Sequence, residues 1–201
     1  EAAGDVNCLL LDKTGTITEN RIVLVKYVDP AGEPSDDVLY TAYLNSNFHT
    51  GVSNPLDNAV RTFRPLDISG YKKIDEIPFD FTRRRDSMVV EKGAERTLIS
   101  KGAPEEIFKI CSTHQKNGVP HAFGPDIISQ VNGQFQKLSS EGFRVLGVAM
   151  KIVPVRAAYD ASDESAMTFC GFVAFLDPPK ATATETIREM EALGIEIKIL
   201  T

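Results

Sequence analysis

The sequence has 201 residues, of which 42% are hydrophobic and 25% charged, a composition typical of a globular protein rather than a disordered chain. Its 22 basic and 28 acidic side chains give a net charge of −6, which argues against a general nucleic-acid-binding protein because such proteins usually carry a basic excess. No stretch approaches the roughly 20 apolar residues of a membrane span, and the first residues lack the basic and apolar regions of a signal peptide.

The N-terminal segment predicts a buried strand followed by a polar turn. Residues 6–11 (VNCLLL) are almost all apolar, as in a parallel-sheet strand that is covered on both faces. The turn at residues 12–16 (DKTGT) follows directly, where open α/β sheets bind their ligands. Its glycine and hydroxyl groups could hold a phosphate, and Asp12 could become phosphorylated as an acyl phosphate. An ordinary turn that contains an aspartate is the alternative.

The middle of the chain predicts an α+β domain. We expect strands at residues 21–28, 71–77, 87–91, 96–100, 143–152 and 168–175. We expect helices at residues 36–45, 55–63, 104–111 and 126–139. The short glycine-containing turn between residues 87–91 and 96–100 indicates an antiparallel hairpin, so the sheet should be mainly antiparallel and flanked by helices.

The C-terminal segment predicts a helix and a strand of the same sheet as the N-terminal strand. Residues 182–185 (TATE) have the pattern of a capping box, and Gly194 marks the end of the helix. Residues 195–200 then predict another buried strand. We therefore expect an α+β domain at residues 21–174, inserted into an α/β domain that is cut short and consists of residues 1–20 and 175–201.

Four motifs that span the chain resemble, in the same order, those of P-type ATPases, which are ion pumps of the haloacid-dehalogenase superfamily. They are DKTGTIT at residues 12–18, KGAPE at 101–105, DPPK at 177–180, and IKILT at 197–201, which stops at the first residue of the family's TGD motif. The resemblance implies a nucleotide-binding domain inserted into a truncated Rossmann-like phosphorylation domain. It also implies ATP as substrate and Mg²⁺ as cofactor, with Asp12 and Thr14 as catalytic residues and metal ligands.

An aromatic residue followed by three arginines, Phe81 and residues 83–85, stands out in an acidic protein. An aromatic face beside concentrated positive charge suits a nucleotide. By resemblance to the family, Phe81 stacks on adenine and Arg83 lies toward the phosphates. The alternatives are a core residue for Phe81 and a solvated strand face for Arg84 and Arg85.

The same resemblance implies further nucleotide contacts from four other segments. Lys101 would place its ammonium group at the rim of the adenine pocket, and Gly102 would let the ligand approach closely. Asp57 would lie near the adenine amino group, Arg144 would reach the phosphate chain, and Asp177 would belong to the site at the hinge motif. A surface lysine and a carboxylate in the first turn of a helix are the alternatives for Lys101 and Asp57.

Asp86 departs from the family pattern, because many members carry lysine at this position. An acid there should repel a phosphate and weaken the local positive field. A second basic contact to the nucleotide is therefore not expected at Asp86.

The subfamily follows from similarity alone, since cargo is selected by membrane helices. Residues 45–51 (NSNFHTG), 55–60 (PLDNAV) and 73–85 (KIDEIPFDFTRRR) resemble bacterial magnesium-importing P-type ATPases. The chain would then be the cytoplasmic headpiece of an inner-membrane pump, with an actuator, the rest of the phosphorylation domain and the membrane helices as partners. On its own it should bind ATP and be nearly inactive.

Three alternatives stay open from the sequence. A calcium or proton P-type pump shares the same motifs. A soluble haloacid-dehalogenase phosphatase with a large cap usually carries an Asp two residues after its nucleophile, as general acid and base, whereas this chain has Thr14. A nucleotide-binding module without catalysis is the third.

Overall fold

A computed structural model describes residues 7–51, 54–116 and 118–200. The chain divides into two compact units, one formed by the residues up to Val23 together with those from Asp177 onward, and the other by Leu24–Leu176. In chain order the elements are β1 (Cys8–Asp12), β2 (Val23–Val28), α1 (Asp36–Phe48), α2 (Pro55–Phe63), β3 (Tyr71–Asp80), β4 (Arg85–Lys92), β5 (Glu95–Gly102), α3 (Pro104–Ile110), β6 (Cys111–Lys116), β7 (Val119–Ala122), α4 (Pro125–Ser140), β8 (Arg144–Val153), β9 (Met167–Leu176), α5 (Ala183–Ala192) and β10 (Glu196–Leu200). In the described ranges, no helix is both long enough and apolar enough to cross a bilayer.

The larger unit is built on one mixed sheet. Its described strands run in the order β3-β4-β5-β8-β9-β6-β7, and β2 also pairs with β9. The pairs β3–β4, β4–β5, β5–β8, β8–β9 and β6–β7 are antiparallel, whereas β6–β9 is parallel. The prediction of an α+β fold with a mainly antiparallel sheet flanked by helices is confirmed.

Helices cover both faces of this sheet because successive residues of a strand point to opposite sides. Met88 of β4 packs with Leu44 of α1 in one apolar cluster. The next residue, Val89, belongs to a larger cluster with Ile107 of α3 and Val131 of α4. Helix α1 therefore lies over one face of the sheet, and α3 and α4 lie over the other.

The predicted helices and strands of the larger unit are present, with ends shifted by a few residues, and α2 has the predicted bounds. The hairpin β6–β7 has no counterpart in the sequence analysis. Strand β6 (CSTHQK) is mostly polar, and every residue of β7 is exposed, so neither shows the apolar alternation that indicates a strand. Backbone pairing of β6 with β9 holds this hairpin on the sheet.

The smaller unit contains β1 and β10, which pair in parallel with Leu10 opposite Lys198, and helix α5. The expectation of strands covered on both faces is wrong for the described residues: Leu10 is 60% exposed and Leu200 55%. Within those residues, β1 has β10 as its strand partner, and a two-stranded sheet offers little apolar surface for burial. Residue 6, where the predicted strand begins, lies outside the described residues, as does residue 201 of the IKILT motif.

The start of α5 also differs from the prediction. Thr182 adopts a right-handed helical backbone conformation, and its side chain accepts no capping hydrogen bond. A helix N-cap needs extended backbone angles to direct its side-chain oxygen at the free N–H groups, so the predicted capping box is wrong. The predicted end is confirmed, because Gly194 follows the helix with φ at +79°, which suits glycine.

Candidate functional site

The turn between β3 and β4 carries the most exposed aromatic ring among the described residues. Phe81 is 89% exposed, and its ring makes an edge-on contact with Phe79 at 5.3 Å between centroids. The turn itself is tied down, since Asp80 Oδ1 accepts from the backbone N–H groups of Thr82 at 2.9 Å and Arg83 at 2.8 Å. These backbone donors lower the pKa of Asp80. The core alternative for Phe81 is therefore excluded.

Each of the three arginines after Phe81 has an acidic partner. Arg83 Nη1 lies 2.7 Å from Glu164 Oε1, and Arg85 Nε lies 2.8 Å from Glu164 Oε2. Arg84 Nη1 lies 2.6 Å from Glu105 Oε1 on the surface. Arg85 is buried, which rules out a solvated strand face for this residue. In this structure Arg83 thus directs its charge at a carboxylate of the protein, and its predicted role at the phosphates stays a prediction.

Lys101 lies at the centre of a buried polar cluster rather than at an exposed rim. It is 2% exposed, and its Nζ donates to Asn45 Oδ1 at 2.7 Å and Ser46 Oγ at 2.9 Å and ion-pairs with Asp57 Oδ1. An ammonium group has three protons to donate, so all three are engaged. Strand β5 runs between β4 and β8 under α1, and this packing buries the end of the strand. The alternative of a surface lysine is therefore wrong, and the position at the rim of an adenine pocket stays a prediction.

Asp86 faces the same cluster from the neighbouring strand. It pairs in register with Lys101, is buried, and has no hydrogen-bond partner for Oδ2 within the described residues. Burial raises the pKa of Asp86; the Lys101 charge opposes the rise and the Asp57 charge adds to it. From the sequence, Asp86 is expected to weaken the positive field at the phosphates. In the structure it is a buried carboxyl group packed beside Lys101.

Gly102 is required by the protein's own backbone. A Cβ atom at this position would lie 2.4 Å from the carbonyl oxygen of Arg84 and 2.4 Å from Arg85 Cβ. The N–H of Ala103 donates to that same Arg84 oxygen at 2.9 Å. The close approach predicted for Gly102 therefore involves the β3–β4 turn in this structure.

Arg144 is exposed at the first residue of β8. Its guanidinium group has no hydrogen-bond or ion-pair partner among the described side chains. Gly147 of β8 pairs with Gly102, so Arg144 lies three residues further along, past the end of β5. The Phe81 turn, the Lys101 cluster and Arg144 thus lie at the same end of strands β4, β5 and β8.

A second polar cluster adjoins Asp86 and was missed by the sequence analysis. Glu76 Oε2 accepts from Thr50 Oγ1 at 2.6 Å and also pairs with Lys73. His49 Nδ1 lies 2.9 Å from Glu76 Oε1 without hydrogen-bond alignment. Burial would raise the pKa of Glu76, but the hydrogen bonds from Lys73 and Thr50 outweigh it and lower that pKa. His49 and Thr50 lie in the segment 45–51, and Lys73 and Glu76 lie in the segment 73–85. Both segments show the family resemblance, but neither shows by itself that the two pack together.

In the smaller unit, Asp12 ends β1 and is exposed. A short helical turn, Lys13–Ile17, follows it, and Gly15 there has φ at +78°. The Asp12 carboxylate has no hydrogen-bond or ion-pair partner among the side chains that the structure describes. The side chain of Thr14, the second predicted catalytic residue, lies outside them.

Asp177, the first residue of the DPPK motif, accepts hydrogen bonds from the segment that follows Asp12. Its Oδ2 accepts from Thr18 Oγ1 at 2.6 Å, and its Oδ1 accepts from the N–H of Arg21 at 3.2 Å. Lys180 Nζ adds a bond to the carbonyl oxygen of Gly15 at 2.8 Å. In this structure, Asp177 and Lys180 therefore bind the protein's own turn.

No set of three or more His, Cys, Asp or Glu side chains is placed to hold a metal ion within residues 7–51, 54–116 and 118–200. A cavity of about 490 Å³ lies elsewhere on the α1 face of the larger unit. None of the predicted nucleotide residues lines it. Its walls include Tyr40, Leu44, Tyr71, Ile99, Met150 and Thr168.

Glu164 is the main site-associated residue that sequence reasoning missed. Three consecutive arginines in an acidic protein indicate that an acid partner exists, because buried charges are paired. The sequence holds 28 acidic side chains, and nothing around residues 161–165 (ASDES) distinguishes Glu164 from the others.

Comparison with known proteins finds a match over most of the chain. A family model described as "P-type ATPase, cytoplasmic domain N" matches residues 37–182. The matched range contains Phe81, Lys101, Asp86, Arg144 and Glu164.

Individual relatives extend over nearly the whole chain. It is 41% identical over 206 residues to the "Magnesium-transporting ATPase, P-type 1" of Escherichia coli (strain K12), an alignment that covers 98% of this chain and 23% of that protein. The protein of the same name in Salmonella typhimurium (strain 14028s / SGSC 2262) is 41% identical over 205 residues, with the same coverage. "Plasma membrane ATPase 2" of Schizosaccharomyces pombe is 32% identical over 208 residues, covering 100% of this chain and 19% of that protein. The chain thus spans less than a quarter of the length of these relatives.

Proposed function

The chain belongs to the P-type ATPase family, and from that premise we propose that its larger unit, Leu24–Leu176, is an ATP-binding domain. The observation that carries the proposal is the ring of Phe81, which is 89% exposed on a turn fixed by backbone hydrogen bonds. Covering a large apolar ring with the flat face of a ligand removes both surfaces from water, which lowers the free energy of the complex. Adenine is such a ligand, and it would stack on Phe81.

Polar groups at the same end of these strands suit the rest of the nucleotide. Lys101 holds Asp57 through Oδ1, which leaves Oδ2 of Asp57 to accept from the adenine amino group. The guanidinium of Arg144 is exposed and has no partner among the described side chains, so it can bind the phosphate chain at little cost. Lys101, with its three protons engaged, would act by fixing Asp57 and by its charge.

Calorimetric titration of the 201-residue chain tests whether the base is recognised. We expect saturable binding of ATP and of adenosine diphosphate, and much weaker binding of inorganic tripolyphosphate, which has the charge but no ring to stack. The affinity for ATP should be modest because the site is open to solvent. Equal affinity for ATP and tripolyphosphate would contradict the role of Phe81.

For the smaller unit we propose a part of the Rossmann-like phosphorylation domain, with the ATP-binding domain as an insertion between residues 20 and 175. In the whole pump, a carboxylate oxygen of Asp12 would attack the γ-phosphorus of ATP. A P–O bond to the γ-phosphate would form on Asp12 as the bond to the β-phosphate oxygen breaks and ADP leaves. Thr14 and the N–H groups of the turn would hold the transferred group.

We propose two separate roles for magnesium, as cofactor and as transported ion. As a cofactor it would neutralise charge on the phosphates, and the exposed carboxylate oxygens of Asp12 are hard ligands of the kind Mg²⁺ prefers. As cargo it is suggested by the names of the relatives that are 41% identical, against 32% for a plasma membrane ATPase. We therefore propose a magnesium importer whose headpiece lies on the cytoplasmic side of a bacterial inner membrane.

The acid-stable phosphoenzyme provides the test of the chemistry. The whole pump should take up label from γ-labelled ATP with Mg²⁺, lose it to hydroxylamine, and take up none after Asp12→Asn. The 201-residue chain should label only in traces, because phosphoryl transfer depends on positioning and Asp12 stands exposed in it. An intermediate that hydrolyses as fast as it forms would contradict the proposed phosphoenzyme, because this chain has Thr14 where soluble phosphatases carry the carboxylate that releases the phosphate.

A further inference from the structure

One buried carboxylate outside the predicted site is bonded to the strand and turn that carry Phe81. The side chain of Glu164 is fully buried, in the segment between β8 and β9 just after the short 3-10 turn Ala161–Asp163. Both of its oxygens lie within 2.8 Å of Arg83 Nη1, Oε2 accepts from Arg85 Nε at 2.8 Å, and Oε1 accepts from Ser87 Oγ at 2.7 Å. A buried acid satisfied by two guanidinium groups and a hydroxyl is a strong, directional anchor.

The donors to Glu164 lie in the turn and on β4, and one of them also bonds to β3. Arg83 lies in the turn, and its Nη2 also donates to the carbonyl oxygen of Pro78 on β3 at 2.6 Å. Arg85 and Ser87 lie at the start of β4. Glu164 therefore holds the turn and the start of β4 directly and the end of β3 through Arg83, and Phe81 lies in the chain between Pro78 and Arg83.

The turn has a backbone that benefits from such an anchor. Arg84 has φ at +49°, in the left-handed region that residues other than glycine rarely adopt. The N–H of Arg84 bonds to the carbonyl oxygen of Asp80, and the Arg84 carbonyl bonds to the N–H of Ala103. A strained turn with an exposed ring keeps one orientation only when its surroundings determine it.

The anchor also reaches the strand that carries Lys101. Ser87 Oγ lies 2.6 Å from Ser100 Oγ, and Ser100 directly precedes Lys101 on β5. One carboxylate thus connects the turn that presents Phe81 with the strand that positions the Lys101 cluster.

We propose that Glu164 is a positioning residue for nucleotide recognition: through Arg83, Arg85 and Ser87 it holds the Phe81 ring in the orientation that receives the base. This inference rests on the proposed ATP-binding function. It assigns Arg83 to the anchor instead of the phosphate chain. A ring fixed before the ligand arrives loses less conformational entropy on binding, which raises affinity without a new contact.

The test is a double-mutant cycle of Glu164→Gln and Phe81→Ala in the 201-residue chain, with ATP affinity measured by calorimetry far below the melting temperature. Glu164→Gln should weaken ATP binding by about 3- to 10-fold, and by less than about 2-fold in the Phe81→Ala background, because a residue that acts through another is non-additive with it. Amide hydrogen exchange at residues 81–84 should accelerate in Glu164→Gln. Glu105→Gln is the matched control, since it removes an exposed acid from Arg84 of the same turn, and it should leave ATP affinity unchanged.

The outcomes separate this inference from the proposed function. Unchanged ATP affinity after Phe81→Ala would overturn the proposed site and the inference together. If Phe81→Ala weakens binding, then full affinity in Glu164→Gln, or an equal fold-loss in both backgrounds, would overturn the inference alone. If Glu164→Gln does not fold, Arg83→Met replaces it in the cycle, because Arg85 and Ser87 still satisfy Glu164. An additive loss from Arg83→Met would assign Arg83 to the phosphates and contradict the anchor.

Discussion

Two of the four motifs that resemble those of the family lie in opposite physical surroundings. Lys101 of KGAPE is 2% exposed and gives all three protons to protein acceptors. Asp12 of DKTGT is exposed, with no partner among the described side chains. A charge that is buried without a partner destabilises the fold far more than a charge that is exposed to water. A motif residue in the first setting therefore stabilises the fold, whereas one in the second contributes little to it.

Removing one charge from each setting should show the largest contrast. Lys101→Met leaves Asp57 buried without its cation, and the free energy of unfolding should fall by about 3–5 kcal/mol. Asp12→Asn should change it by less than about 0.5 kcal/mol, as for other surface positions. Urea unfolding of the 201-residue chain measures both. Lys109→Met, which breaks an exposed pair with Glu106, is the control, and an equally small loss for Lys101→Met would refute the contrast.

The next largest effect concerns the glycine beside Lys101. Gly102→Ala should lower the free energy of unfolding by about 1–3 kcal/mol, since its Cβ would meet the Arg84 backbone at 2.4 Å. Gly133→Ala should instead raise it by up to about 1 kcal/mol, because alanine is the better helix former and a Cβ on α4 there meets nothing within 4 Å. Thermal unfolding of both variants checks the predicted opposite signs. Equal and small changes would mean that the β4–β5 contact is loose.

Phe81 is the exception that sharpens the comparison, because it is a motif residue of the larger unit that is nevertheless exposed. Phe81→Ala should weaken ATP binding by about 1–3 kcal/mol, on the scale of base–aromatic stacking, with little change in stability. Ile152→Ala, which truncates another exposed apolar side chain (68%) of the same unit, should leave affinity unchanged. Calorimetric ATP titrations decide, and a similar affinity for both variants would remove Phe81 from the site.

The smallest predicted effect depends on pH. Burial raises the pKa of Asp86, so the stability it contributes is present at low pH and is lost as pH rises above the unfolded-state pKa. His49, Lys101 and Asp57 face it and set the balance. Asp86→Asn should therefore gain stability relative to the parent at pH 8 compared with pH 4.5, by on the order of 1 kcal/mol. Urea unfolding at both pH values tests this. Asp126→Asn, which removes an exposed carboxylate, is the control. A gain in stability that does not grow with pH would mean that the protein stabilises the ionised form of Asp86 as well as water does.

Most of the fold of the larger unit could be predicted because its helices follow apolar periodicity, as in α2, and its strands contain short apolar runs, as in β4. The hairpin β6–β7 could not, because its residues are polar and long-range pairing with β9 holds it. Lys101 and Gly102 directly follow the predicted strand at residues 96–100 and lie in β5, whereas no predicted helix or strand contains Phe81. The burial of Lys101 and the pairing of Arg83 with Glu164, 81 residues away, depend on tertiary packing, which local patterns do not encode.

Backbone chemical shifts of the 201-residue chain during titration with ATP test the proposed binding site. We expect progressive shifts at Phe81 and the turn around it, at Lys101 and Gly102, and at Arg144. Residues 12–18 should move little, since the residues proposed to contact ATP lie within Leu24–Leu176. Shifts confined to residues 12–18, or an unmoved Phe81 turn at saturating ATP, would show that ATP does not bind at Phe81.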